Sequence, residues 1–317
     1  MSIAPRMSIV LATDSYATIR PVIRCLSKQT VKQTLEVVLV TPDAKSMHSN
    51  LAGDSPFAKT TVVEDSVDDL AVARAAGVRA SSAPIVFIGE THSFPAPNMA
   101  ELILDAFQES NWACVVPSVH NANPHGALSW SGCILDYGRW APGLPAGRLQ
   151  DAPVYNAAFQ SEVLLALGDR LRFALGQTDE LALALAANRQ GVLFEPQARI
   201  GHANITSFGP WFLNRFFVGN LIATNRSRQW PLTKRVVYAG GSFLIPLVLL
   251  RRLSSGIRQS ARNQTLPLGT LPAIVVGLVL RAAGEASGYA GLLTKRAARA
   301  MHSCEMHKLK YARNVSA

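Results

Sequence analysis

Short runs of apolar and β-branched residues alternate with amphipathic helical patterns along the first 120 residues. Five of these runs predict strands, at residues 8–13, 35–41, 60–63, 85–88 and 112–116. Between them, apolar residues recur at helical spacing near 19–26, 69–80 and 99–107. Strands joined by helices at this spacing require right-handed crossovers. We therefore predict an α/β fold, with a Rossmann-like, mostly parallel sheet and helices on both of its faces.

The ends of the predicted strands indicate where a ligand would bind. In parallel sheets, ligands bind beyond the carboxyl ends of the strands, where the strand order reverses. The residues at these positions are Asp14, Ser15, Thr41, Gly89, Glu90, Thr91 and His92. We expect a binding site to be built from this set.

The remainder of the chain has a different pattern. Residues 118–158 are rich in Pro, Gly, Asn and Trp, which favours long active-site loops over regular elements. Helical patterns follow at 160–168 and 178–189, and a short strand is predicted at 192–195. Composition changes sharply after residue 208. We predict an α/β domain over residues 1–208 and a basic, apolar helical region over 209–317.

Charge is distributed unevenly between these two regions. The chain has a net charge of +10, but residues 1–208 hold 15 Lys and Arg against 19 Asp and Glu. Residues 209–317 hold 16 Lys and Arg against 2 acidic residues, a net charge of +14. A chain that is 49% hydrophobic and 16% charged fits neither disorder nor a coiled coil. Long uncharged runs in the basic region, with no recognised binding motif, argue against nucleic acid as a partner.

The four cysteines indicate a reduced, cytosolic environment. Cys25, Cys114, Cys133 and Cys304 are scattered, without a C-x-x-C pair or a dense framework. The apolar stretch at 9–12 is too short for a signal peptide.

Glu90 and His92 are the sharpest candidates for chemistry. They directly follow an apolar strand, and in an extended segment both side chains lie on the same face. One cation could then bind a carboxylate oxygen and an imidazole nitrogen, and could neutralise a diphosphate leaving group. The alternative is that Glu90 caps the following turn and His92 is exposed.

Asp179 and Glu180 open a predicted helix, where acidic residues are favoured by the helix dipole. A functional interpretation makes one of them the general base that deprotonates an acceptor hydroxyl. His202 follows a strand, and a lone histidine is more often structural than a ligand. His302, Cys304 and His307 could suggest a second metal site. They lie among Arg and Lys without a second pair of ligands, which favours a solvated basic helix instead.

Several segments in the correct order resemble the glycosyltransferase family 2 enzymes, which have the GT-A fold. Residues 8–13 look like the family's first strand, 35–40 like its E-V-I-V-V-D strand and 70–77 like its L-A-x-A-R-N-x-G helix. Residues 86–88 arrive where the family's strand leads into a D-x-D motif. Asp179 and Glu180, before Gly191, match the spacing of its E-D pair. The resemblance covers residues 7–205.

Two positions depart from the family pattern. Thr41 stands where the family has an aspartate that contacts uracil, and Glu90, Thr91 and His92 replace D-x-D. The latter resembles a bacterial subgroup with an E-x-H motif, whose N-A-N-P and S-W signature is similar to 121–124 and 129–130.

This resemblance implies roles for individual residues. Glu90, His92 and His202 would bind a divalent metal, Mn²⁺ or Mg²⁺. Asn156, in a loop before a helix, would face the donor or the acceptor. The donor nucleotide would contact a set of residues near the strand ends: Thr13, Asp14, Thr41 and, at a phosphate, Arg74.

The expected reaction moves a sugar from a nucleotide-sugar donor to a lipid-linked or polysaccharide acceptor. Glu180 or Asp179 would activate the attacking hydroxyl in one in-line displacement, which inverts the anomeric centre. Such an enzyme would serve cell-envelope polysaccharide biosynthesis. The alternative is a catalytically inactive GT-A-like module that binds a nucleotide or a partner.

Two uncharged runs in the basic region, at 236–250 and 263–280, indicate membrane association. They have 15 and 18 residues, fewer than the roughly 20 that a spanning helix needs, and Pro246, Pro267 and Pro272 interrupt them. If both runs crossed, the arginines between them would oppose the positive-inside rule. We predict helices in the interface, facing anionic lipids on the cytoplasmic face of the inner (plasma) membrane. A packed basic domain and a pair of true spans are the alternatives.

Overall fold

The computed structural model describes residues 4–51, 55–176, 178–187 and 190–316, with the backbone alone at residues 178 and 179. The strands of the described residues are β1 (Met7–Ala12), β2 (Leu35–Thr41), β3 (Lys59–Glu64), β4 (Ile85–Ile88), β5 (Ser93–Pro95), β6 (Cys114–Asn121), β7 (Gly147–Leu149), β8 (Ala157–Gln160) and β9 (Val192–His202). The helices are α1 (Tyr16–Leu26), α2 (Ala44–Leu51), α3 (Leu70–Ala80), α4 (Met99–Glu109), α5 (Ala127–Tyr137), α6 (Ser161–Leu165), α7 (Leu171–Ala174), α8 (Thr178–Ala187), α9 (Phe208–Arg226), α10 (Leu232–Gly241), α11 (Ile245–Asn263), α12 (Thr270–Tyr289) and α13 (Thr294–Met306).

The strands form one sheet in the order β3-β2-β1-β4-β8-β6-β9-β5, with β7 paired to β9. β1 is parallel to β2 and β4, and β2 is parallel to β3. β8 is antiparallel to both β4 and β6. The predicted α/β class is confirmed, and the predicted strands and helices of the first 120 residues are all present. The parallel part of the sheet ends at β4, because β8 pairs beside it in the opposite direction.

The prediction of long loops over residues 118–158 is wrong. α5 lies in this segment, and Trp130, Ile134 and Tyr137 are buried along one face of it. These residues stand at i, i+4 and i+7, which is a helical spacing. Small residues such as Ser129 and Gly132 obscure the pattern in the sequence because they suggest a loop, yet both are buried in the helix.

Chain contacts divide the described residues into two compact units. Unit 1 comprises Met1–Ser118 and Pro145–Gly201, and unit 2 comprises Val119–Leu144 and His202–Ser316. The predicted domain boundary at residue 208 stays a prediction.

The core of unit 1 lies around β1, β2 and β4, whose residues are almost all buried. α3 packs closely on this part of the sheet at Gly77, where a Cβ atom would meet the side chain of Val10. A larger residue at Gly77 would push the helix away from β1.

A buried carboxylate joins several elements of unit 1. Glu36 in β2 accepts hydrogen bonds from Ser8 Oγ at 2.5 Å, Thr61 Oγ1 at 2.8 Å and the Ser82 backbone N–H at 2.7 Å. Lys59 Nζ lies 2.8 Å from Oε1 of Glu36, the oxygen that also accepts the hydrogen bond from Thr61. Burial acts to raise the pKa of Glu36, but the ion pair and hydrogen bonds outweigh it and lower the pKa to about 2.

Unit 2 is helical, and α12 packs against α9 across glycines. A Cβ atom at Gly284 would meet the carbonyl oxygen of Phe216, and one at Gly219 would meet the carbonyl oxygen of Arg281. A separate cluster joins α12 to α5 and α11. Its buried members are Trp130, Ile134, Leu253, Ile274 and Leu278.

Two helical stretches of unit 2, Leu232–Asn263 and Thr270–Tyr289, are long and apolar enough to cross a membrane by length and composition alone. The prolines that interrupt the uncharged runs lie near the starts of helices. Pro246 is in the first turn of α11, Pro267 precedes α12, and Pro272 is in the first turn of α12.

Candidate active site

The candidate site begins where β4 ends. Gly89 donates its backbone N–H to Val10 O at 3.0 Å, which holds this strand end against β1. The chain then turns, so that Glu90 and His92 are both buried, with 5% and 1% of their surfaces exposed. The expected extended segment is therefore wrong, because Thr91 and His92 form a turn. The alternative in which His92 is exposed is also wrong.

The turn brings the Glu90 carboxylate beside the His92 imidazole. Glu90 Oε1 lies 3.6 Å from His92 Nε2. Glu90 Oε2 accepts hydrogen bonds from Ser93 Oγ at 2.8 Å and Asn156 Nδ2 at 2.6 Å. These bonds orient the carboxylate so that Oε1 faces the imidazole.

Asn156 reaches this carboxylate because β8 pairs with β4. Its backbone N–H donates to Ile88 O at 2.7 Å, and its φ of 58° lies in the left-handed region. The resemblance placed Asn156 before a helix, but it precedes β8. Its amide also donates to Ser93 Oγ at 3.0 Å. A role for Asn156 in donor binding stays a prediction.

His202 is the last residue of β9, with 1% of its surface exposed. Its Nδ1 lies 2.9 Å from Asn204 Oδ1. Asn204 Nδ2 donates to Asn121 Oδ1 and to His202 O, both at 2.9 Å. Because these bonds assign Oδ1 of Asn204 as an acceptor, Nδ1 of His202 donates to it, and Nε2 is the ring nitrogen that could act as a metal ligand.

The N-A-N-P and S-W residues support Asn204. Asn123 Oδ1 accepts the backbone N–H of Asn204 at 2.8 Å, and Asn123 Nδ2 donates to Asn204 O at 2.8 Å. Ser129 Oγ donates to Asn123 O at 2.6 Å. This signature thus holds the residue that orients His202, a role the sequence motif alone did not reveal.

Glu90, His92 and His202 form a group that could hold a metal ion. Each offers one ligand atom, and these atoms lie within 4.8 Å of one another. A carboxylate with two imidazoles suits a transition metal such as Mn²⁺ better than Mg²⁺, which favours oxygen ligands. In the described part of the chain this is the one such group of three, so His302, Cys304 and His307 do not form another.

The predicted nucleotide contacts lie at the ends of β1 and β2. Thr13 is fully buried and donates its hydroxyl to Ser15 O at 2.9 Å. Asp14 is partly exposed and accepts a hydrogen bond from Ser15 Oγ at 3.3 Å. Thr41 is buried, and its hydroxyl accepts the Asp43 backbone N–H at 3.4 Å. Their part in donor binding stays a prediction.

Arg74 on α3 lies beside the segment that carries Asn156. Its guanidinium carbon stands 4.7 Å from the ring centroid of Tyr155, a cation–π contact. Tyr155 directly precedes Asn156 in the chain. Its predicted contact with a phosphate remains untested.

The predicted bases belong to the first turn of α8. Glu180 lies exposed there, and its role as the base stays a prediction. The side chain of Asp179 lies outside the described residues.

All four cysteines are free and buried. Burial raises the pKa of the Cys133 thiol to about 12, so it is not a reactive thiolate at neutral pH. Nothing about these cysteines points to catalysis.

No protein-family profile and no curated protein matches the sequence. The structure is similar to S. aureus TarS 1–349 in complex with UDP-GlcNAc, with a TM-score of 0.50 and 12% identity over 96% of this chain and 91% of that chain. S. aureus TarS as a longer chain matches with a TM-score of 0.46 and 13% identity, over 93% of this chain and 52% of that one. GalNAc-T7 with UDP, GalNAc and Mn²⁺ matches with a TM-score of 0.47 and 15% identity, over 62% of this chain and 43% of that one.

This chain therefore spans about half the length of the longer TarS chain and less than half of GalNAc-T7. These neighbours are glycosyltransferases of the GT-A fold. The match to TarS 1–349 shows that this chain has the same fold, as the resemblance in the sequence implied.

Proposed function

We propose that this chain is a glycosyltransferase that moves a sugar from a nucleotide-sugar donor to a lipid-linked or polysaccharide acceptor. The observation that carries the proposal is the group of Glu90, His92 and His202 at the strand ends of a GT-A fold. The structure of TarS in complex with UDP-GlcNAc supports a nucleotide-sugar donor. We also propose kinship with glycosyltransferase family 2 through the E-x-H motif.

The three ligand residues fit a divalent metal. When bound, Mn²⁺ or Mg²⁺ would neutralise charge on the diphosphate leaving group. Asn156 and Ser93 hold the Glu90 carboxylate, and Asn204 keeps the proton of His202 on Nδ1. Because two of the three ligands are imidazoles, which bind Mn²⁺ better than Mg²⁺, we expect Mn²⁺ to support activity better than Mg²⁺.

The transfer itself needs one base and one displacement. We propose that Glu180 or Asp179 accepts the proton of the acceptor hydroxyl. The hydroxyl oxygen then bonds to the anomeric carbon as the bond to the diphosphate breaks, and the centre inverts. Thr13, Asp14 and Thr41 would contact the nucleotide, and the remaining donor contacts would be Arg74 at a phosphate and Asn156.

We propose that the enzyme acts at the cytoplasmic face of the bacterial inner (plasma) membrane, in cell-envelope polysaccharide biosynthesis. The two apolar helical stretches of unit 2 support this localisation. A lipid-linked acceptor would account for a catalytic fold that carries such helices.

The test is a donor screen with purified full-length protein, measuring nucleoside diphosphate release with Mn²⁺, Mg²⁺ or chelator. We expect Mn²⁺-dependent release by the wild type and at least about a 100-fold loss in Glu90→Gln and His92→Gln, because each removes a metal ligand. The matched control is His48→Gln, since His48 is exposed on α2.

The same experiment decides the alternative of a catalytically inactive module. Thr41 and the E-x-H motif, in place of the family's aspartates, favour that alternative. If no donor is hydrolysed with any metal, or if the two variants release diphosphate as fast as the wild type, the catalytic assignment is wrong.

A further inference from the structure

Unit 2 exposes a large number of apolar side chains on α10, α11, α12 and the short links between these helices. Each of the following leaves 45% or more of its surface exposed, and together we call them the apolar face: Leu232, Val236, Val237, Phe243, Leu244, Leu247, Val248, Leu268, Leu271, Val275, Val276 and Val279. α10, α11 and the turn between them all pack on α12, so these residues belong to one region of unit 2. An exposed apolar region of this extent marks an interaction surface.

The apolar face is distinct from the residues by which α11 and α12 pack into the core of unit 2. α11 already buries Leu253, Gly256 and Ser260 against the rest of unit 2. α12 buries Ile274 and Leu278 in the same cluster as Leu253. The exposed residues are therefore additional apolar groups that point away from the core of unit 2.

The net positive charge of unit 2 indicates the kind of surface that the apolar face would contact. Its residues include 17 Lys and Arg against 3 acidic residues. All three acids are paired internally: Asp136 with Arg215 at 2.7 Å, Glu285 with Arg281 at 3.2 Å and Glu305 with Lys308 at 3.0 Å. The charges left for a partner are thus cationic, and they suit an anionic surface.

Aromatic residues stand next to the apolar face. Trp230 and Tyr238 have ring centroids 4.6 Å apart, and Lys234 Nζ lies 4.0 Å from the Trp230 ring centroid. Tryptophan and tyrosine beside a cationic side chain are typical of the headgroup layer of a bilayer. An apolar surface with aromatic and cationic neighbours fits an anionic lipid surface better than it fits nucleic acid, which needs charge throughout.

The packing of unit 2 opposes a spanning arrangement. A Cβ atom at Gly256 would meet the carbonyl oxygen of Gly138, so the second half of α11 is in close contact with the end of α5. α12 is held against α9 by Gly219 and Gly284. If α11 and α12 crossed a bilayer, either these contacts would break or α5 and α9 would have to enter the bilayer as well, whereas the apolar face can enter the interface with the contacts intact.

We propose that the apolar face lies in the interfacial layer of an anionic bilayer, with no helix crossing it. This inference deepens the proposed membrane localisation and is independent of the proposed catalysis. Vesicle binding needs neither donor nor metal, so failure of the one proposal is distinguishable from failure of the other.

The test is cosedimentation of the full-length protein with vesicles of phosphatidylcholine alone, or with 30 mol% (about one lipid in three) phosphatidylglycerol. We expect the anionic vesicles to be bound at least about tenfold more tightly, and high salt to weaken that binding. Phe243→Asp and Leu247→Asp should each weaken binding at least about tenfold, because each places a charge in apolar lipid. Leu183→Asp is the matched control, because Leu183 in unit 1 is 68% exposed and Leu247 is 70% exposed.

Protease digestion of protein bound to closed vesicles distinguishes an interfacial from a spanning arrangement. We expect a tag inserted at Thr265, in the exposed link between α11 and α12, and a tag at Ala317 to be cleaved alike, because both stay outside the vesicle. Protection of either tag would overturn the interfacial arrangement. Equal binding by Leu247→Asp and the wild type would also overturn the proposal, as would a wild-type dimer in solution that Leu247→Asp converts to a monomer.

Discussion

Asn156 links backbone geometry to the candidate metal site. It adopts a φ of 58°, a conformation that asparagine tolerates better than most residues. From there its amide donates to Glu90 Oε2 at 2.6 Å. The residue therefore combines a tight entry into β8 with the orientation of a candidate ligand, and we regard it as a positioning residue.

Substitutions at Asn156 separate these two properties. Asn156→Gly keeps the backbone conformation and loses the amide, whereas Asn156→Ala loses both. We expect either change to weaken Mn²⁺ binding about 10- to 100-fold, measured by calorimetry. Asn156→Ala should also be less stable than Asn156→Gly by about 1 kcal/mol in thermal unfolding.

The same variants test the donor-binding role implied by the resemblance. If Asn156→Gly binds Mn²⁺ as tightly as the wild type but raises KM for the donor, then Asn156 contacts the donor. Weaker Mn²⁺ binding together with a raised KM would support both roles, whereas a raised KM alone would contradict the positioning role.

Among the elements of unit 2, α9 and α12 pack closely against each other through glycines. Gly284 is buried at the crossing, and a Cβ atom there would meet backbone of α9. Backbone cannot move aside as a flexible side chain can, so even one methyl group must separate the helices.

We expect Gly284→Ala to lower the free energy of unfolding by about 1 to 3 kcal/mol, measured by thermal or urea denaturation. Gly240→Ala on α10 is the matched control, since a Cβ atom there meets no described atom within 4 Å. That control should stabilise the protein by up to about 1 kcal/mol, because alanine favours a helix. Equal stability of Gly284→Ala and the wild type would show that the helices do not pack this closely.

The elements also show how far local pattern can be trusted. β2 and β4 have the predicted bounds, since their apolar runs are continuous and covered on both faces. α5 was missed because Ser129 and Gly132 suggest a loop by composition, although both are buried in the helix. The sequence pattern does not predict α2, because this helix buries only Met47 and carries little apolar periodicity.

At the scale of the whole molecule, Glu36 couples folding to pH. Its pKa is lowered to about 2 in the folded protein from an ordinary value of 4.5. A lowered folded-state pKa stabilises the protein above about pH 4.5, and that stabilisation is lost as pH falls toward 2. The lowered pKa corresponds to a contribution of about 3 kcal/mol to the free energy of unfolding at neutral pH.

We expect acid unfolding between pH 4.5 and 2 to be steeper in the wild type than in Glu36→Gln, measured by circular dichroism across that range. Glu36→Gln should also be less stable at pH 7, because it loses the ion pair with Lys59. Glu64→Gln is the control, since Glu64 is exposed at the end of β3. Parallel pH profiles for Glu36→Gln and the wild type would contradict this account.

Local sequence determined five strands and three helices of the first 120 residues, the uneven charge and the candidate ligands Glu90 and His92. These features depend on neighbouring residues, because periodicity and the residues that follow a strand can be seen in a short segment. The domain boundary and the catalytic roles of Glu180 and Asp179 stay predictions.

Only the tertiary structure decided what surrounds each candidate. Asn156 reaches Glu90 across 66 positions of sequence because β8 pairs antiparallel with β4. Asn121 meets Asn204 across 83 positions, and this bond fixes which nitrogen of His202 carries the proton. The same holds for the apolar face, since contacts of α11 and α12 with distant helices determine which apolar residues remain exposed. Long-range pairing leaves no periodic mark in the sequence, and for that physical reason it had to come from the fold.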